Sequence, residues 1–252
     1  MEEADGRALV VFDNVCFAYG ATQVLRGISF ELPRRSFMGL VGANGSGKST
    51  IMKLLLGLLE ADSGRVEVLG HTPREAARSG LIGYVPQRES YRRDFPLSVH
   101  DVVLMGRSGR IGLGRTPCRA DRAKVCETLE RLGVAHLERN IFGELSGGQQ
   151  RLVLLARALA QDPKVLFMDE ADTGLDEERR AQIYHQVNDL RRTHDLSILA
   201  ISHQLDLLAH MVDEAVALRD GVAVEWCPEC MHHPTTEPEP RPVHATLLGA
   251  VR

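Results

Sequence analysis

Residues 42 to 50 read Gly42-Ala-Asn-Gly-Ser-Gly47-Lys48-Ser49-Thr50, a string of the form G-x-x-x-x-G-K-[ST]. Such a loop restricts the fold around it. Its glycines let the backbone curl until successive N–H groups face inward, so the chain must enter and leave in fixed directions. Phe37 to Val41 is a short apolar strand that runs straight into the loop. Lys48 to Leu59 reads as the helix leaving it, with Ile51, Leu54, Leu55 and Leu58 on one stripe. Inward amides and the positive end of that helix make a cradle for phosphate oxygens. Gly42, Asn44, Gly45, Ser46, Gly47, Lys48, Ser49 and Thr50 are therefore candidate nucleotide-binding residues. Lys48 is expected to reach the β- and γ-phosphates of ATP, and Ser49 to coordinate Mg²⁺.

The rest of the chain supplies the matching architecture. Leu9 to Ala18 and Val24 to Leu32 alternate as strands around a Gly20 turn, and Val66 to Leu69 and Leu81 to Val85 add two more. From about Gln87 to Pro163 the pattern turns helical: Val125, Leu129 and Leu132 recur at helical spacing, and Leu152 to Ala160 follows. A Gly/Arg-rich loop is expected over Gly106 to Thr116. Strand and helix then alternate again: Val165 to Met168, the helix of Ile183, Val187 and Leu190, Ser197 to Ile201, and a helix over Gln204 to Val212. A hairpin follows, with Asp220-Gly221 as its turn. Alternation of this kind implies a largely parallel sheet covered on both faces. The expected fold is α/β with an inserted α-helical subdomain over about 88–162; the glycine loop resembles that of P-loop NTPases, and the resemblance implies a RecA-like core with an N-terminal antiparallel β subdomain.

Composition narrows the function classes. The 252 residues are 44% hydrophobic and carry a formal charge of −4, which argues against a protein that coats nucleic acid. The richest apolar stretch, Leu152 to Ala160, is short and broken by Arg157, whereas a spanning helix needs about 20 apolar residues. The first residues are acidic where a signal peptide would be basic and then apolar. A cytoplasmic protein is expected, with any membrane role borrowed from a partner. Cys16, Cys118 and Cys126 are scattered and read as inert thiols.

Val165-Leu-Phe-Met168-Asp169-Glu170 is an apolar strand ending in two acids. In P-loop enzymes an Asp at such a strand end holds Mg²⁺, which makes Asp169 a metal candidate. Glu170 is then placed to take a proton from the attacking water. By themselves the two acids could simply end a strand in solvent; beside the Gly42–Thr50 loop they read as catalytic groups.

Leu145-Ser146-Gly147-Gly148-Gln149 is the most specific string in the chain. Ser146 stands at the N-cap of the next helix, and the glycines permit close backbone approach, so the string forms a second anion site. On these motifs the sequence resembles the ATPase subunits of ABC transporters, over residues 8–226. The resemblance implies that Ser146, Gly147, Gly148 and Gln149 of one subunit close over the ATP held by a second copy. It implies further roles position by position. Tyr19 stacks on adenine, and Gln87 senses Mg²⁺ and the membrane partner. Asp176 lies in a loop crossing the dimer interface, and His203 contacts the γ-phosphate. Two positions depart from the family pattern: Ala171 stands where Pro usually follows the glutamate, and Gln204 where Asp usually follows the histidine.

Asp94-Phe-Pro-Leu-Ser-Val99 followed by Asp101-Val-Val-Leu-Met-Gly-Arg107 resembles the subfamily importing manganese, zinc or iron in bacteria. Siderophore or cobalamin importers, exporters and non-transport ABC ATPases are the alternatives. The resemblance implies integral membrane permease subunits docking near Gln87 to Arg107, an extracytoplasmic metal-binding protein, and a peripheral place on the inner face of the bacterial cell membrane. Residues 227–252 form a Pro-rich tail. Its Cys227, Cys230, His232 and His233 have the donors of a zinc site, although a plain extended terminus explains them as well.

Overall fold

In the computed structural model the described residues are 8–87, 96–112, 114–170, 177–193, 195–202 and 211–225. The elements in chain order begin with β1 (Val10–Tyr19), β2 (Thr22–Leu32), β3 (Phe37–Gly42), α1 (Lys48–Leu55), β4 (Ser63–Val68), α2 (Pro73–Arg78) and β5 (Ile82–Val85). Four helices follow: α3 (Val99–Met105), α4 (Ser108–Ile111), α5 (Arg119–Arg131) and α6 (Gly147–Leu159). The chain then returns to β6 (Val165–Asp169), α7 (Glu177–Thr193), β7 (Ser197–Ile201), β8 (Glu214–Arg219) and β9 (Val222–Glu225).

Among the described residues the strands form two sheets. One is antiparallel, in the order β2-β1-β4; the other runs β5-β6-β7-β3-β8-β9 and is parallel except for β9. The fully apolar strands occupy its centre: the side chains of β7 are buried throughout, as are those of β3 and β6 up to their last residue. Successive residues of these strands feed opposite faces. Met38, Leu40, Val165 and Phe167 pack with α1 and the antiparallel sheet. Phe37, Leu166 and Met168 pack with the helices inserted between β5 and β6. In the antiparallel sheet Phe12 and Phe30 face each other in register and stack at 4.7 Å. The β8–β9 hairpin turns on Asp220 and Gly221, both at positive φ, as a two-residue turn between twisted strands requires.

Some boundaries differ from the sequence expectation. The helix after the glycine loop stops at Leu55 rather than Leu59. Gly57 takes φ +67° where a Cβ would lie 2.7 Å from the Arg74 backbone, and Leu58 is left exposed. The Gly106–Thr116 stretch is not all loop, since Ser108–Ile111 forms one helical turn. Helix α2 was not anticipated, although Thr72-Pro73-Arg-Glu75 spells a capping box with proline at the first helical position. The helix expected over Gln204 to Val212 falls mostly outside the described residues.

Gly106, at the end of α3, sits directly against α6: a Cβ there would be 2.0 Å from the Arg157 carbonyl oxygen. The Arg107 guanidinium bonds Asp121 of α5 and the Ala160 carbonyl behind α6. These contacts bind α3, α5 and α6 into one lobe.

Candidate active site

Open α/β sheets bind ligands beyond the carboxyl ends of their strands. Strand β3 delivers the glycine loop there, and the adjoining strands fix its surroundings. Gly47 has φ +109°, and a Cβ on it would press within 2.7 Å of Leu25. Gly42 has φ +149°, and a Cβ on it would meet the Leu218 carbonyl oxygen at 2.4 Å. At Gly42 a side chain would displace the β8 backbone, and at Gly47 it would crowd the Leu25 side chain on a backbone that strains any residue but glycine. Lys48, only 4% exposed, folds back over the loop and donates to the carbonyls of Gly42 and Ala43, each at 2.8 Å. An ammonium has three donors, so one is left for a ligand. Burial pulls its pKa below the usual lysine value, and the carboxylates of Glu170 and Asp169 pull it back up. The Thr50 and Ile51 amides both donate to the Gly47 carbonyl at 3.0 Å, and the positive end of α1, which begins at Lys48, favours an anion there. Ser49 and Asn44 are exposed in the same loop, Thr50 is buried, and the Ser46 hydroxyl is buried without a partner among the described residues.

Strand β6 brings the two acids to the same edge. Burial raises the Asp169 carboxyl above its ordinary range, and Glu170 raises it further, while a hydrogen bond from Tyr84 and the charges of Lys48 and Lys53 oppose the rise. One Asp169 oxygen is buried with no hydrogen-bond partner among the described residues. A buried carboxylate oxygen without a donor is costly unless something cationic meets it. Together with the Ser49 hydroxyl this donor set fits a hard, oxygen-seeking cation such as Mg²⁺.

Glu170 is 8% exposed and adopts φ +44°, an unusual conformation for a residue with a side chain. Its N–H donates to the Ile201 carbonyl on β7 at 3.0 Å, and its carboxylate accepts from the Gln87 side-chain amide. Gln87 is held in turn, because Arg151 of α6 donates to the carbonyls of Pro86 (2.7 Å) and Gln87. The helix that begins at Ser146 is thereby tied to the carboxylate at the end of β6. Sequence reasoning missed Arg151. Nothing in its spacing marks it, since Gln87 lies 64 positions away in the chain.

Ser146 caps α6. Its hydroxyl accepts from the Gln149 N–H at 3.4 Å, and its own N–H donates to the Gln149 side chain at 3.0 Å. Ser146 and Gly147 are exposed, Gly148 is buried, and nothing lies within 4 Å of where a Gly147 Cβ would be. The start of the helix is therefore open to solvent at Ser146 and Gly147. Tyr19, at the end of β1, is 45% exposed; its ring meets Phe17 edge-on at 4.9 Å, and the Lys53 ammonium lies 5.9 Å from its centre. The remaining expected site residues, Asp176 and His203, and the tail residues Cys227, Cys230, His232 and His233 lie outside the described residues.

Comparison with known proteins places this geometry. The ABC transporter family profile matches residues 25–173. The chain is 40% identical over 219 residues to the chelated iron transport system membrane protein YfeB of Yersinia pestis, covering 86% of this chain and 73% of that protein. It is 40% identical over 196 residues to the manganese transport system ATP-binding protein MntB of Bacillus subtilis, covering 78% and 77%. It is 34% identical over 227 residues to the zinc uptake system ATP-binding protein ZurA of Listeria monocytogenes, covering 87% and 88%. Among solved structures, a metal-chelate type ABC transporter in an inward-facing conformation matches with a TM-score of 0.78 at 30% identity, over 86% of this chain and 82% of that one. An ATP-binding cassette of an ABC transporter in its ADP conformation matches with a TM-score of 0.77 at 27% identity, covering 86% and 90%. With its glycine loop, paired acids and capped signature helix so arranged, this chain belongs to the ABC transporter family as one of its ATP-binding subunits.

Proposed function

We propose that this chain hydrolyses ATP to power uptake of a divalent metal ion, manganese, zinc or iron, through a partner permease in the bacterial membrane. The observation that carries the ATPase reading is the pair of acids at the end of β6 facing the Lys48 loop, one with an unpaired buried oxygen and the other bonded to Gln87. The cargo reading rests on relatives named for manganese, zinc and iron transport that align along most of their length. The described residues contain no helix long and apolar enough to cross a membrane, and in this reading the path for the ion is the partner permease.

In this mechanism adenine stacks on Tyr19, and the loop amides with the third Lys48 donor hold the phosphates. Asp169, Ser49 and Gln87 would hold Mg²⁺, which when bound screens charge on the phosphate oxygens. Glu170 accepts a proton from water as its oxygen attacks the γ-phosphorus. The bond from that phosphorus to the β–γ bridging oxygen breaks, and ADP and inorganic phosphate result. His203 steadies the γ-phosphate. The exposed helix start at Ser146 and Gly147, with Gly148 and Gln149 behind it, completes the site of a second copy, and Asp176 lies at that junction. A head-to-tail pair of this kind has two-fold symmetry and two composite sites. Permease subunits dock near Gln87 to Arg107 on the inner face of the membrane, and an extracytoplasmic protein delivers the ion.

The metal-chelate likeness supports a second reading, in which the cargo is a chelate. One experiment separates the two. The chain is reconstituted in vesicles with its permease, and ATP-driven accumulation of free Mn²⁺, Zn²⁺ and Fe²⁺ is compared with that of ferric siderophores. Accumulation of a free ion supports the first reading, and accumulation of chelates alone supports the second.

A further inference from the structure

Cys126 looks inert in the sequence, yet the fold places it in a cluster that the ATPase mechanism does not use. A ring nitrogen of His100, the sulfur of Cys126 and a carboxylate oxygen of Glu138 all lie within 4.8 Å of one another. His100 Nδ1 is 2.8 Å from Glu138 Oε1, and Cys126 Sγ is 3.5 Å from the same oxygen. Three elements contribute: the first turn of α3, the middle of α5, and the residue just after the 3₁₀ turn Ala135–Leu137.

The backbone beneath the cluster is fixed independently of these side chains. His100 N–H donates to the Glu138 carbonyl at 3.0 Å, Val99 N–H to Asn140 at 2.9 Å, and Phe142 N–H to Leu97 at 2.9 Å. Ser98 and Asp101 form a capping box that sets the start of α3. All three side chains are half-buried, so an ion can enter without the core opening.

We propose that His100, Cys126 and Glu138 form a binding site for a zinc-class divalent cation, whose occupancy ties α3 to α5 and slows the ATPase. Metal–ligand distances of about 2.0–2.3 Å place tetrahedral ligand atoms roughly 3.3–3.8 Å apart. The sulfur–oxygen separation already falls in that range, and the nitrogen–oxygen pair must open by about half an ångström. An imidazole, a thiolate and a carboxylate leave the fourth position to water. A thiolate favours Zn²⁺ or Co²⁺ over Mn²⁺.

The consequence for turnover follows from packing. Helix α3 packs on both α5 and α6, and Arg151 of α6 holds the Gln87 loop against Glu170. A metal cross-link between α3 and α5 stiffens the lobe that carries this connection. The slowing effect rests on the metal-uptake reading, because only an importer raises the ion on the side where the ATPase works. The binding site does not depend on that reading.

The test uses the full chain carrying Cys227→Ser, Cys230→Ser, His232→Ala and His233→Ala, which removes the tail donors, with no nucleotide present. Zn²⁺ is titrated against a chromophoric chelator, and Co²⁺ is followed by absorption. One tight equivalent of Zn²⁺ and a thiolate-to-cobalt charge-transfer band are expected. Cys126→Ser should abolish the band and weaken Zn²⁺ at least tenfold, and Mn²⁺ should not compete. Binding that survives both Cys126→Ser and Glu138→Gln, or no stoichiometric binding, overturns the site. With Mg-ATP added, Zn²⁺ should lower turnover in the parent and not in Cys126→Ser; equal inhibition of both overturns the feedback. No permease takes part, so a failed uptake assay and a failed metal site are separate results.

Discussion

Glu170 combines burial, a left-handed backbone and a hydrogen bond to Gln87. Left-handed backbone at a residue with a side chain costs about 1–3 kcal/mol, and here the Ile201 carbonyl and Gln87 hold it in place. As the proposed base, a carboxylate pinned in this way would need little reorganisation when water attacks. Glu170→Gln keeps the shape and removes the proton acceptor. ATP turnover should fall by roughly 10²–10⁴-fold while ATP affinity stays within a few-fold, as phosphate release and nucleotide binding on the same preparation will show. Arg151→Leu should act through position alone. Loss of two charge-assisted hydrogen bonds to the Pro86–Gln87 backbone should lower kcat by about tenfold and leave nucleotide affinity nearly unchanged. Arg151→Lys should rescue only in part, since one ammonium matches two carbonyls less well than a guanidinium fork. Lys48, Asp169 and Glu170 were legible in the sequence because their neighbours spell motifs. The link from Arg151 through Gln87 to Glu170, and the meeting of His100 with Cys126 and Glu138, were not, because folding alone brings such distant positions together.

Helices and strands followed the pattern wherever burial dictated it. Val165–Met168 and Ile198–Ile201 are apolar and buried, and both strands were legible in the sequence. Ends were less legible, because a glycine such as Gly57 stops a helix through a contact with Arg74 that sequence spacing does not show. Gly106 makes the same point between helices. Its missing side chain lets α3 reach the Arg157 carbonyl, so Gly106→Val should destabilise the lobe by about 1–3 kcal/mol, measured as a lowered urea midpoint. Loops also carry charge that ties elements together. Asp195, just before β7, bonds Arg34 and Lys164 and lies 3.2 Å from Arg35. Burial works to raise its pKa, but Lys164 and Arg34 hold it down at about 2. The unfolded carboxyl titrates near 3.9, so this contribution is complete above that value and is lost as pH falls toward about 2. Asp195→Asn should therefore cost on the order of 1–2 kcal/mol near pH 7, and the gap from wild type should shrink steadily in urea melts taken between about pH 5 and pH 2.5.

At the scale of the whole molecule, two half-sites face outward from one chain. The glycine loop leaves a Lys48 donor open, and the α6 helix start is exposed at Ser146 and Gly147. On the proposed reading one chain carries a floor and a roof for ATP, and a two-fold pair would let each copy roof its partner. Complementation between two inactive variants tests this most directly. Lys48→Ala spoils the loop. Gly147→Arg blocks the roof while leaving the Ser146–Gln149 cap intact, since Gly147 has open space around it. Each variant alone should hydrolyse ATP at background rates. An equal mixture should regain about a quarter of the wild-type rate, because half the pairs are mixed and each mixed pair holds one intact composite site. Background activity at every mixing ratio, with mixed pairs shown to form, would contradict a site shared between two copies.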